Sequence, residues 1–249
     1  EEFYETLRYF DNQLARLGVT VHLNTQVNIE SLSNKGFDEV VLATGINPRT
    51  LTIEGHDHPK VMSYLDVLRD HKPVGKKVAI VGAGGIGFDV AEFLVEHEHL
   101  AKDKEKWLAH WGIDKDYATP GALKEKAIEP SEREVYLLQR KTSKVGKGLG
   151  KTTGWIHRQS LKHHNVQMMN GVSYEKVDDE GLHVLINDTP KILPVDNVIV
   201  CAGQEPFKPL QKPLEEAGFT VHIIGGADVA AELDAKRAIR QGAELAARI

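Results

Sequence analysis

Residues 77–87 read Lys-Val-Ala-Ile-Val-Gly-Ala-Gly-Gly-Ile-Gly, an apolar β-branched run that enters a glycine-rich turn. Gly82, Gly84 and Gly87, with Gly85 in the same turn, fit the pattern G-x-G-x-x-G. Residues 88–96 then carry apolar side chains at helical spacing. Each glycine has a physical task in such a strand–turn–helix unit. Gly82 permits the tight turn, Gly84 lets backbone approach a pyrophosphate, and Gly87 lets helix and strand pack closely. The helix N-terminus offers unpaired N–H groups and the positive end of its dipole to phosphates. The glycine pattern alone is a weak signal, but a strand before it and a helix after it form the confirming context.

The next strand indicates which nucleotide fits. Residues 135–139 read as a strand, followed directly by Arg140-Lys141. A site for NADH normally places Asp or Glu at this strand end, to bond the ribose 2′-hydroxyl. No acid stands here. Two cations suit the 2′-phosphate of NADPH, and arginine grips a phosphate with paired N–H donors. The predicted cofactor is therefore NADPH; the bland alternative is a solvated basic turn. Residues 102–129, polar and broken by Pro120-Gly121, push the two strands well beyond the usual interval of about 20 residues. They read as an insertion outside the alternating pattern. In the loop that follows, Lys144, Lys147 and Lys151 either fold over the phosphates or stay solvated. Gly150-Lys151-Thr152 looks like the end of a Walker A loop, but that pattern needs glycine at position 145, where Val145 stands. An ATPase is rejected.

Outward from this unit, residues 1–17 show the spacing of an amphipathic helix, ended by Gly18, and residues 20–23 and 39–43 read as strands. Helices are expected at 63–69 and 153–163, and strands at 166–169, 172–177, 182–186 and 195–200. The chain ends with a strand and glycine turn at 221–226 and a helix at 232–247. Alternating strands and helices imply an α/β fold around parallel sheets, with two sheets expected. The 249 residues are enough for one large domain or two small ones, and the net charge of -5 argues against a nucleic-acid or membrane-surface binder. No apolar run reaches membrane-spanning length and the N-terminus lacks a signal-peptide pattern, so a cytoplasmic protein is expected. The single cysteine, Cys201, excludes a disulfide framework or CxxC pair within this chain and reads as a small buried residue at a strand end. His97-Glu98-His99 reads as a solvated helix end rather than a metal site, and His163-His164 as a pair meeting a helix dipole. Residues 155–158, Trp-Ile-His-Arg, either line a nicotinamide pocket or serve helix packing.

The strings VGAGGIGFDVAEFL, LLQRKTSKVGKGLGKTTGWIHR and CAGQEP, with the ending VHIIGGADVAAELDAKRAI, closely resemble the bacterial NADPH-dependent 2,4-dienoyl-CoA reductases. The likeness covers the whole chain, and the wider family includes trimethylamine dehydrogenase and old-yellow-enzyme relatives. The resemblance implies a two-dinucleotide-binding flavoprotein, with residues 74–205 forming a Rossmann-like NADPH domain inserted in an FAD domain made of residues 1–73 and 206–249. Thr44 and Gly45 then resemble the crossing motif at the FAD-domain exit, and Gly203 belongs with the cofactor-contacting positions. Gly226 and Asp228 resemble the C-terminal FAD motif, whose acid bonds the ribityl chain. Ala235, at the start of the last helix, would face the flavin's pyrimidine edge. In that family an N-terminal barrel holds FMN and substrate, and a [4Fe–4S] cluster relays electrons. This chain carries no barrel, no cluster cysteines and no first glycine motif for FAD. The resemblance therefore implies a fragment with an incomplete FAD site, whose partner is the barrel of the same polypeptide.

Three functions of different kinds are set against one another. The first is the electron-entry part of such an enzyme, passing hydride from NADPH to FAD, with no dienoyl-CoA-reducing residue in this chain. The second is a non-catalytic module that holds ADP or NAD(P). The third, a disulfide reductase, is set aside on the lone cysteine.

Overall fold

The computed structural model describes residues 2–33, 35–96, 100–231 and 235–249. The chain divides into two compact units, Glu1–Gly45 with Pro206–Ile249, and Ile46–Glu205. The reading of His97-Glu98-His99 lies outside the described residues, as do residues 232–234 of the expected last helix.

In the first unit the chain forms helices α1 (Glu2–Arg16) and α2 (Ile29–Ser33) and strand β1 (Glu39–Leu42). It then passes through the second unit as β2 (Ile46–Pro48), β3 (Val61–Ser63), α3 (Tyr64–Leu68), β4 (Lys77–Val81), α4 (Gly85–Val95), α5 (Lys104–Trp111), β5 (Glu134–Leu138) and α6 (Gly154–His163). The unit continues with β6 (Gln167–Met169), β7 (Val172–Asp178), β8 (Gly181–Ile186), β9 (Thr189–Leu193), β10 (Asn197–Val200) and β11 (Gln204–Pro206). The chain ends in the first unit as α7 (Gln211–Glu216), β12 (Thr220–Ile223) and α8 (Ala235–Ala246).

The larger unit is built on a parallel five-stranded sheet in the order β3-β10-β4-β5-β6. After their first residues, Lys77, Glu134 and Asn197, its central strands are buried and largely apolar because both faces are covered. On one face Val78, Ile80, Val135, Leu137 and Ile199 pack with Phe88, Val90 and Leu94 of α4, Leu161 of α6 and Val67 of α3. On the other, Ala79, Val81, Leu138, Val198 and Val200 pack with Val172, Leu182, Val184 and Leu193 of the antiparallel sheet β7-β8-β9. The result is three layers, helices, parallel sheet and antiparallel sheet. Four sheets form among the described residues rather than two, since β1-β12 and β2-β11 are separate pairs.

The compact unit around this sheet begins at Ile46. The reason is pairing: β3 joins β10 in the five-stranded sheet, and Leu51 enters the core beneath β7 and β8. A capping box fixes α3 behind it, with the Ser63 N–H donating to Asp66 Oδ2 (2.7 Å) and the Asp66 N–H to Ser63 Oγ (3.2 Å).

In the smaller unit β1 and β12 run parallel, from Glu39 beside Thr220 to Leu42 beside Ile223. Residues 20–23, expected as a strand, are irregular. Their alternation is real, but among the described residues no neighbouring strand offers them a ladder, and Val21 and Leu23 are exposed.

The polar stretch 102–129 is more ordered than its composition suggests. Asp103 caps α5 by accepting from the Glu105 and Lys106 N–H groups, both at 3.0 Å, and Gly112 ends the helix in the left-handed region (φ 66°). The stretch then seats α5 against α6 through side chains. His163 lies 3.0 Å from both Lys126 Nζ and His110 Nε2, and the Trp111 ring packs against it at a tilt of 60°. An ammonium only donates, so His163 Nε2 accepts, its proton sits on Nδ1, and that N–H donates to His110. Burial, followed by the charge of Lys126, pulls His163 down to about 4. It is therefore neutral and does not meet the helix dipole as a cation, contrary to the sequence expectation.

Because the folded value lies below the ordinary 6.5, the neutral ring supports the fold above that pH and the support is lost as pH falls towards 4. Thermal denaturation from pH 7.5 to 4.5 should show a falling midpoint, and His163→Gln should flatten that decline.

Candidate functional site

The strand order reverses beside β4. From β4 the chain steps to β5 and β6 on one side, while β10 and β3 lie on the other. Connections that diverge in this way leave a crevice at the carboxyl ends of the strands, where α/β sheets bind ligands. A cleft of about 590 Å³ lies there. Gly82, Ala83 and Gly84 line it from β4, Gln139, Arg140 and Lys141 from β5, and Ala202 from β10. Ser143, Lys147, Gly148 and Tyr174 complete it.

The glycines divide the work by backbone geometry. Gly82 has φ of 111°, and a Cβ there would meet the Cys201 carbonyl oxygen at 2.5 Å. A Cβ on Gly87 would stand 1.9 Å from the Gly82 carbonyl oxygen. Close approach of α4, β4 and the end of β10 therefore demands both. Gly84 and Gly85 are different: a Cβ on either would meet no protein atom within 4 Å. Nothing in the protein's own packing requires glycine there, and at Gly84 the open space faces the cleft. Gly84 is the N-cap of α4 and supplies no side-chain cap, which leaves the first-turn N–H groups to bond a ligand or water. A diphosphate fits such a turn.

At the end of β5 the Arg140 and Lys141 side chains are exposed, while their loop is held tightly. Gln139 Nε2 donates to the Lys141 carbonyl (2.9 Å) and the Ser143 carbonyl (2.8 Å), and Asn170 Nδ2 to the Thr142 carbonyl (2.6 Å). Tyr174 projects from β7 beside Arg140. Burial pushes its phenol up to about 12 against the opposing charge of Arg140, so it stays a neutral donor. Of the three loop lysines, Lys147 lines the cleft; Lys144 and Lys151 are exposed and do not. Gly203, at φ of 101°, accepts from the Arg49 N–H (3.1 Å) beyond β10.

Of residues 155–158, His157 and Arg158 hold α6 to its neighbours, while Trp155 and Ile156 are exposed. His157 pairs with Glu92 on α4 (2.9 Å), and Arg158 donates to the Gly146 carbonyl (2.9 Å). Sequence reasoning missed Gln139, Asn170 and Tyr174. Gln139 had a signal, a neutral amide where a nucleotide-binding strand often ends in an acid; Tyr174 had none.

The smaller unit gathers the other predicted residues within itself. The Thr44 hydroxyl donates to the Phe207 carbonyl, and Gly45, at φ of 77°, accepts from the Phe207 N–H (3.0 Å). Gly226 lies in the turn Gly225–Ala227. Gln241 of α8 braces that turn, accepting from the Gly225 N–H (2.8 Å) and donating to Asp228 Oδ2 (2.9 Å). Asp228 is half-buried and keeps its other oxygen as an acceptor among the described residues. Ala235 is the first residue of α8.

Residues 19–237 match the family described as pyridine nucleotide-disulphide oxidoreductase. The chain belongs to that family. It is an oxidoreductase domain of the flavin- and NAD(P)-dependent kind, with the α/β fold expected. The metal reductase of Desulforamulus reducens is 29% identical over 231 residues, 91% of this chain and 34% of that protein. The cinnamate reductase of Clostridium sporogenes is 29% identical over 222 residues, 89% of this chain and 28% of that protein. The chain thus spans about a third of the length of these curated relatives. A solved 2-naphthoyl-CoA reductase shares the fold, with a TM-score of 0.76 at 23% identity over 100% of this chain and 32% of that one.

Within this family fold Cys201 sits half-buried after β10. Burial, with the charge of Asp89 adding, pushes its thiol up to about 12. No helix among the described residues is long and apolar enough to cross a membrane.

Two measurements follow from this geometry. Gly87→Ala should fail to fold or melt far below the wild type, whereas Gly84→Ala should keep the wild-type midpoint. Iodoacetamide should alkylate Cys201 at pH 8 on the order of a thousandfold more slowly than free cysteine, since almost no thiolate exists there; labelling should rise only in denaturant.

Proposed function

We propose that this chain is the NADPH-binding, electron-entry portion of a flavin-dependent oxidoreductase of the 2,4-dienoyl-CoA reductase kind. When bound, NADPH supplies a hydride and FAD accepts it. One observation carries the reading: the side-chain-free turn at Gly84 and the cations Arg140, Lys141 and Lys147 line a single cleft. The α4 N-terminus would hold the diphosphate through its N–H groups. Arg140 and Lys141 would hold the 2′-phosphate, with Lys147 contributing charge from the facing loop. Lys151 and Gly203 would lie at the margins of that site.

In the smaller unit the braced turn around Gly226 and the second oxygen of Asp228 suit a polyol chain. Thr44 and Gly45 would shape the edge of the same FAD site, and Ala235 would present a helix N-terminus to a developing negative charge. An FMN-bearing barrel with a [4Fe–4S] cluster, and reduction of a 2,4-dienoyl thioester, belong to the proposal for the whole polypeptide. The relatives support reduction as the chemistry, two by the name reductase and a third by the name of a CoA-thioester reductase.

Thermal stability of the purified chain, followed during titration with NADPH, NADH and ADP, tests the reading. A rise in midpoint selective for NADPH is expected, lost in an Arg140→Ala, Lys141→Ala double variant. Equal rises with ADP and NADH would instead support a module that merely holds a nucleotide.

A further inference from the structure

The end of β5 contains a device that the motif does not describe. Gln139 is anchored in the sheet by its backbone, its N–H donating to the Met169 carbonyl (2.8 Å) and its carbonyl accepting from the Val172 N–H (3.0 Å). Its side chain then turns back on the loop that follows. One Nε2 group donates to the Lys141 carbonyl (2.9 Å) and the Ser143 carbonyl (2.8 Å), with Ser143 Oγ at 3.4 Å. Asn170 Nδ2 takes the remaining carbonyl, Thr142, at 2.6 Å, and the Gly171 N–H donates to Lys141 at 3.2 Å. Three successive carbonyls of the cation-bearing loop are therefore all spent on the amides of residues 139, 170 and 171.

We infer that Gln139, assisted by Asn170, is the positioning residue that sets nucleotide choice in this cleft; the inference rests on the NADPH reading above. The argument is one of donors and acceptors. Left bare, the carbonyl oxygens of residues 141–143 would put partial negative charge beside any anion held by Arg140 and Lys141. A carboxamide neutralises them because its NH2 has two donors and can serve two carbonyls at once. Glutamate has the same shape and no donor. In place of Gln139 it would be repelled by the Lys141 and Ser143 carbonyls, which would lose their shorter bonds and keep only the Gly171 N–H (3.2 Å) and Asn170 Nδ2 (3.4 Å). The freed carboxylate would stand at the strand end that lines the cleft, where an acid bonds a ribose 2′-hydroxyl and repels a 2′-phosphate. Exchanging one NH2 for an oxygen thus removes the phosphate preference and installs its opposite.

The test uses calorimetric titration of this chain with adenosine 2′,5′-bisphosphate and adenosine 5′-monophosphate, which differ only by the 2′-phosphate. The readout is the ratio of the two affinities. A defect in folding moves both ligands together and leaves that ratio unchanged. Wild-type protein should favour the bisphosphate by about tenfold or more, as charge-assisted bonds to a phosphate imply. Gln139→Glu should bring the ratio to one or below while retaining the monophosphate, and Arg140→Ala should also lose the preference. Asn170→Ala leaves the strand end intact and should lower the ratio by about fivefold, the cost of one unsatisfied carbonyl; it decides the matter if Gln139→Glu does not fold. A wild-type ratio retained in Gln139→Glu or Asn170→Ala, but lost in Arg140→Ala, overturns the inference and leaves the NADPH reading standing. A wild-type ratio of one, or no binding, overturns both.

Discussion

Three backbone segments meet at the carboxyl end of β4 with no room for a single side-chain carbon. The Gly82 carbonyl would touch a Cβ on Gly87, and the Cys201 carbonyl would touch a Cβ on Gly82. This approach fixes where α4 starts and how it lies on the sheet. It also determines what the cleft contains. With the helix pressed against the end of β4, its first-turn N–H groups emerge at the point where the strand order reverses, and the loop after β5 stands across from them. The chemistry available in the cleft follows from that contact.

The contact is rigid because the strands behind it are buried on both faces. Alternate residues of β4 enter two separate cores, one under the helices and one under the antiparallel sheet. Neither face can yield without opening a cavity in a close-packed layer. Charged groups are kept at the rims: Arg140, Lys141 and Lys147 are exposed, and the loop that carries the first two is held by neutral amides. Hydrogen bonds thus fix the loop geometry, and the cations are left free to meet an anion.

The same economy holds the stretch between α4 and β5. It seats α5 through a directed chain of bonds, Lys126 to His163 to His110, in which the one group unable to accept sets the tautomer of the next. The smaller unit likewise relies on a few polar braces, above all Gln241 between Gly225 and Asp228. Its two-stranded sheet offers little apolar area to do that work.

Much of the fold was legible because local rules dominate where it was read. The glycines at 82 and 87, the buried strands β4, β5 and β10, and helices α3, α4 and α6 follow from periodicity and backbone freedom. The pair Arg140-Lys141 was visible as charge at a strand end. Pairing was not visible. Residues 20–23 alternate like a strand and form none, because a ladder needs a neighbour, while β3 acquires its neighbour, β10, from far along the chain. Residues 102–129 looked like mere polar sequence, since beyond the local caps at Asp103 and Gly112 they are seated by side-chain contacts with α6. Tyr174 reaches the cleft, and Lys151 stays outside it, only because the antiparallel sheet and the lysine loop are placed by packing. What this sequence determined by itself is the strand–turn–helix unit, whose geometry is set within about ten residues by glycine and hydrophobic spacing. Which distant side chains join it in one cleft was decided by the tertiary structure, because burial of both sheet faces, not proximity along the chain, brings them there.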